Sequence, residues 1–314
     1  MEELLFTANI VLPLFFLILL GAFCTKKKIV SEEFLKSGNK LSFTVLLPVM
    51  LFLNIYNGRD VANFDVTFAL QLLASITGAF LGCWFIFRFI YKDVRKLSVI
   101  IQAGFRSNFV LFGTYLMSSL YGDTGVAMVS CYLALVVGTF NVYATFILEF
   151  YSQTGKTGGV KNMIIKICKN PLIIASVLGL VVLAINIELP YMIEKTLSNV
   201  SSIATIFAMI CLGGNLKLDK LRADKWNILI GTILRLVVVP GIICTIFYFL
   251  GYREEMFAIV LIVFATPVAV SSYIMAQEQG ADAELAGGIV ASTTLFSTLS
   301  LFVLIYVAKI LMIF

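Results

Sequence analysis

The chain has no histidine. That excludes histidine-ligated metal centres, histidine proton relays and serine–histidine hydrolase chemistry. Charge is scarce as well, at 13% of residues, about half the share in ordinary soluble domains. Cys24, Cys83, Cys131, Cys168, Cys211 and Cys244 stand singly, with no CxxC pair, so they read as small packed side chains and not as a disulfide or metal framework. No Asp or Glu falls in the middle of an apolar run; Glu149 and Glu278 lie at run ends. Cation/proton antiport generally needs buried carboxylates, and intramembrane hydrolysis needs a carboxylate dyad or an activated nucleophile. Neither an enzyme nor a metal site is expected. The N-terminus carries Glu2 and Glu3 where a cleaved signal would be positive, so the first run is read as a retained span.

What is present is apolar. Hydrophobic residues make up 60% of the 314 and mean hydropathy is +1.00, well beyond soluble domains. Ten spans are expected, at 4–24, 38–56, 66–90, 97–120, 125–149, 170–187, 195–214, 226–250, 255–277 and 284–312. The net charge of +5 does not point to nucleic acid, because the basic residues fall in the loops between spans. Lys26–Lys28, Arg95, Lys96, Lys156, Lys161, Lys217 and Lys220 all gather on one side. The positive-inside rule then places both termini outside a cell membrane, plasma or inner.

The chain repeats itself at an offset of 158 positions, seen as Tyr115 on Tyr273, Pro13 on Pro171, Gly21 on Gly179 and Gly122 on Gly280. With five spans per copy, the second copy is inverted in the membrane. The fold class read here is therefore all-α integral membrane: ten transmembrane helices in two inverted five-helix repeats, with helices 4 and 9 interrupted. Residues 1–150 form the first repeat, 151–169 a cytosolic linker facing lipid headgroups, and 170–314 the second. The linker's TGKT lacks the first glycine of a phosphate loop and the strand and helix around it.

The fourth span carries the residues that do not belong in lipid: Arg106, Ser107, Asn108, Gly113 and Thr114. An arginine at bilayer centre costs about 2.5–3.5 kcal/mol on insertion scales, so such a residue is paired or functional. Asn108 reads as a ligand contact or as an amide bonding between helices. Gly113 and, in the ninth span, Pro267 mark helix breaks, since proline lacks an N–H and clashes with the preceding turn. Thr266, Ser271 and Ser272 flank Pro267 and would line the opposite wall of a site. Arg106 and, at similar depth, Arg235 either neutralise an anionic substrate or cap carbonyls freed by the breaks. Pro48 and Asn54 mark a kink in the second span that borders the cavity or is purely structural.

The segments NKLSFTVLLPVMLF (39–52), FRSNFVLFG (105–113), NPLIIASVLGLVV (170–182), LRLVVVP (234–240) and ATPVAVSSYIMAQEQGAD (265–282) resemble the auxin efflux carrier family. That family includes plant PIN exporters and bacterial malate permease-like proteins. The resemblance implies crossing fourth and ninth helices and elevator-like transport of organic anions. It also implies substrate carboxylate bound at Asn108, a crossover proline at Pro267 and a possible homodimer. Tyr115 stands where the family has proline, which implies a less sharply broken fourth helix.

The expected function is a secondary carrier of small organic anions, dicarboxylates or auxin-like carboxylates, by alternating access. Asn108 would bind the carboxylate and Arg106 supply charge. No cofactor is expected beyond a coupling ion, H+ or Na+. A membrane sensor or lipid-binding module on the same fold is the alternative.

Overall fold

The computed structural model describes residues 2–57, 65–152, 168–216 and 224–313, with Ile165 and Arg222. Most of the linker, including TGKT, lies outside the described residues. Every regular element among them is helical. The first half holds α1 (Glu2–Lys26), α2 (Glu32–Leu41), α3 (Leu47–Tyr56), α4 (Val66–Ile90), α5 (Val94–Phe105) and α6 (Phe109–Tyr151). The second holds α7 (Pro171–Ala184), α8 (Tyr191–Asn215), α9 (Lys225–Ile233), α10 (Val239–Phe249), α11 (Glu254–Ala265), α12 (Val270–Glu278) and α13 (Ala283–Ile310). Among the described residues seven helical stretches are long and apolar enough to cross a membrane. The chain is a multi-pass membrane protein, helical throughout its described regular elements.

Several helices start on polar caps that satisfy their first N–H groups. Ser31 accepts from the Phe34 N–H, Asp65 from Thr67 and Phe68, and Asp93 from Arg95. Asn170 accepts from Leu172, with Pro171 following as the first helical residue, where its missing N–H costs nothing. Pro48 and Pro240 are accommodated differently. A five-residue π-turn, Ser42–Leu46, joins α2 to α3 just before Pro48, and Leu234–Val238 joins α9 to α10 just before Pro240. The wider turn relieves the clash between a proline ring and the carbonyl one turn back.

The core is built on the two helices that lead into the interruptions. Leu97–Phe105 of α5 and Phe257–Ala265 of α11 are buried at every position. Helices buried on every side form the interior, in α5 with Ser98 and Gln102 among the buried residues, and the others wrap them with an outward apolar face toward lipid.

Close helix approach is set by glycine. A Cβ at Gly21 would collide with the Ile210 carbonyl, and one at Gly213 with the Ile18 carbonyl, fixing α1 against α8. A Cβ at Gly179 of α7 would meet Ile55 at 3.0 Å and the Phe52 carbonyl at 3.2 Å. Gly122, at φ +61°, kinks α6, and Gly280, at φ +75°, ends the α12 region. Both sit in left-handed backbone that side chains resist.

Candidate functional site

Two helix interruptions meet. Between α5 and α6 the residues Arg106, Ser107 and Asn108 leave helical conformation, and between α11 and α12 Thr266–Ala269 do the same. The first break lies five residues before the expected one. Gly113 is inside α6 and buried, and a Cβ there would come within 3.2 Å of Val129, so its small size serves packing. Nor does Tyr115 in place of proline keep the span intact, because the break is fixed from outside the helix. The Asn108 N–H donates to the Pro267 carbonyl at 2.8 Å, tying one interruption to the other. On the second break, the Val268 N–H donates to Thr293 Oγ1 at 3.2 Å.

Arg235 belongs to this scaffolding. It is fully buried, its Nε donating to the Thr266 carbonyl at 2.8 Å and its Nη2 to the Val263 carbonyl at 2.7 Å. Those are carbonyls that α11 frees where it stops. The Thr266 hydroxyl turns back to the Ile262 carbonyl at 2.8 Å and the residue is completely buried.

Arg106 is placed otherwise. Only 3% exposed, it donates Nη2 to Asn141 Oδ1 at 2.8 Å and to Ser271 Oγ at 2.7 Å, and its Nη1 rests against the Met275 sulfur. All three partners are neutral. No carboxylate forms an ion pair with it among the described residues. It lies on the wall of a cavity of about 550 Å³.

That cavity draws on both halves of the chain. α1 and α3 contribute Leu17, Met50, Leu51 and Asn54; the first break contributes Arg106, Ser107 and Asn108. Phe140 and Asn141 come from α6, Ser201, Ser202 and Thr205 from α8, and Ala269 and Ser271 from the second break and α12. Asn54 and Ser107 line the same cavity, and Asn54 Nδ2 and Ser107 Oγ are buried without a hydrogen-bond partner. No Asp or Glu lines the cavity among the described residues. The surface it offers is one cation, several neutral polar groups and an apolar remainder.

Of the residues expected at a site, Arg106, Asn108, Ser271 and Asn54 therefore come together. Thr266, Ser272, Pro267, Arg235, Gly113 and Pro48 do not line this cavity. Ser272 is 2% exposed and its hydroxyl has no partner; Pro48 is buried behind the π-turn of the second run. Sequence reasoning missed Asn141. Its only signal was an amide in the middle of an apolar run, which by itself does not say what it faces.

A family model described as membrane transport protein matches residues 6–305. The uncharacterized transporter YfdV of Escherichia coli K12 is 23% identical over 270 residues, covering 84% of this chain and 86% of that protein. YfdV of Escherichia coli O157:H7 and of Shigella flexneri match to the same extent.

Proposed function

The chain belongs to the membrane transport protein family, that of the auxin efflux carriers, and from that premise we propose that it is a secondary carrier of small organic anions. One observation carries the choice of cargo: Arg106 is buried at the cavity wall with neutral partners only. A guanidinium does not lose its proton at physiological pH, and a buried cation without a counter-ion is costly. An anionic substrate supplies the missing charge. Guanidinium meets carboxylate bidentately, and Asn108, Ser271, Asn54 and Ser107 provide neutral hydrogen bonds around it. Thr266 acts one layer back, its hydroxyl bonded to the Ile262 carbonyl at the end of α11, and Ser272 is buried behind the cavity wall.

The carrier works by alternating access between two inverted five-helix repeats. Contacts between the halves support that symmetry: Gly21 meets Ile210 while Gly179 meets Phe52, each pair related to the other by the 158-residue offset with partners exchanged. The left-handed Gly122 and Gly280 obey the same offset. Basic loops place both termini outside a plasma or inner membrane. Driving force comes from the membrane potential or a coupling ion, H+ or Na+. The mechanism is elevator-like by family resemblance, and a homodimer is the assembly proposed.

The test is uptake of labelled malate into proteoliposomes, with succinate, citrate and indole-3-acetate as competitors. Saturable uptake that Arg106→Gln abolishes is the expected result. Uptake of equal size through the Arg106→Gln protein would overturn the site.

A further inference from the structure

Resting on the carrier reading above, we infer that the protein is an exchanger: it recrosses the membrane readily with an anion bound and slowly when empty. The reason lies in the surroundings of Arg106. Its three hydrogen-bonding neighbours, Asn141, Ser271 and Met275, are neutral, and the cavity beside it carries no carboxylate among the described residues. While the cavity is open to one side, water entering it screens the part of the guanidinium that meets the cavity wall. Alternating access passes through a state closed to both sides, in which that water is largely displaced and the local dielectric falls. An unpaired cation is then strongly disfavoured, whereas a guanidinium paired with a bound anion is not.

The second buried arginine sharpens the point. Arg235 is held by the Thr266 and Val263 carbonyls and does not line the cavity. Its surroundings are the same whether or not the cavity is filled, so it does not distinguish loaded from empty passage. Arg106 does. It is also held from two elements at once, by Asn141 on α6 and by Ser271 and Met275 on α12, so it cannot swing out to solvent without giving up those contacts. The counter-ion has to come to it.

Asn141 is the positioning residue in this arrangement. Its Oδ1 accepts a hydrogen bond from Arg106 Nη2 while its Nδ2 donates to the Val137 carbonyl at 3.0 Å. Asn141→Asp sets a carboxylate where the neutral acceptor stands, giving the empty carrier a built-in counter-ion. Asn141→Leu removes the acceptor and adds no charge.

The experiment uses proteoliposomes clamped at zero potential with potassium and valinomycin, loaded in separate batches with labelled malate or labelled indole-3-acetate. Efflux is followed into anion-free buffer and into buffer holding the same unlabelled anion. Exchange faster than net efflux by at least about tenfold is expected. In Asn141→Asp the ratio should fall toward one, or anion flux should be lost altogether, while Asn141→Leu keeps a high ratio. Saturable net efflux as fast as exchange in the unaltered protein would overturn the inference and leave the carrier reading standing. An unchanged ratio in Asn141→Asp would overturn the assignment to the Arg106 charge. No saturable flux of either probe under any condition would overturn the carrier reading, and this inference with it.

Discussion

The two buried arginines, 129 residues apart in the chain (Arg106 and Arg235), sit at the same pair of helix interruptions and have different surroundings. Arg235 faces backbone: two carbonyls of the α11 terminus accept its hydrogen bonds at 2.8 and 2.7 Å. Arg106 faces side chains and a cavity. The carbonyls satisfied by Arg235 would otherwise be stranded in a medium with no water, where an unmet backbone group costs several kcal/mol. Neither arginine has a carboxylate partner among the described residues; what differs is that Arg106 is held by side chains at the cavity wall. A buried cation that repairs backbone away from the cavity is architecture, and one that meets the cavity is poised for a ligand.

The largest expected effect separates the two on stability. Arg235→Leu strands two buried acceptors, each worth roughly 1–3 kcal/mol, so the purified protein should melt well below the unaltered chain or fail to remain monodisperse in detergent. An unchanged melting temperature would mean that the Thr266 and Val263 carbonyls find other partners. Next in size is the opposite behaviour at Arg106. Arg106→Gln removes a buried charge with no ionic partner, so melting should hold or rise slightly, while anion affinity falls by about 2–5 kcal/mol, the cost of truncating one side of a buried charge pair. Binding measured by calorimetry beside a melting curve checks both halves. Equal loss of stability in the two variants would erase the contrast.

A smaller effect tests whether the far side of the second break shares in function. Asn39 of α2 donates to Tyr273 Oη at 3.1 Å and to Gln277 Oε1 at 2.7 Å, pinning α12 beyond the cavity. Tyr273→Phe removes one neutral hydrogen bond and should lower stability by about 0.5–1.5 kcal/mol with little change in transport. A transport loss much larger than the stability loss would show that this contact opens and closes during the cycle.

How much of this was legible in the sequence varies with how local the cause is. The run at 66–90 coincides with α4, and 255–277 falls within one residue of the outer bounds of α11 and α12 at each end, because apolar length is a property of the segment itself. The ninth-run interruption was legible too, since Pro267 cannot donate a backbone hydrogen bond. The fourth-run interruption was placed at Gly113 and is found at Arg106–Asn108. What holds it is the Asn108 N–H on the Pro267 carbonyl, a contact between the halves that no local pattern encodes. The same limit left both roles open for Arg235, whose partners lie about 30 residues onward, and left unread what the mid-run amide of Asn141 faces.

The smallest effect concerns the rim where the helices bearing the two arginines are joined. Lys96, near the start of α5, pairs with Asp224, the residue before α9, at 2.5 Å, and Tyr91 donates to Asn227 Oδ1 at 2.9 Å beside it. For Asp224, partial burial pushes the carboxyl up, but hydrogen bonds from Lys96 and Asn227 outweigh it and hold the group below its ordinary 3.8. A carboxyl depressed in the folded state contributes stability above its unfolded pKa and loses it as pH falls through the folded value. The contribution should therefore be constant near neutrality and fade below about pH 4. Both side chains are partly exposed, so screening keeps the pair under about 1 kcal/mol. Asp224→Asn should accordingly shift melting at pH 7 by little and leave the ratio of exchange to net efflux as it was. A change in that ratio would mean that the rim, and not only the Arg106 charge, governs how readily the empty carrier returns.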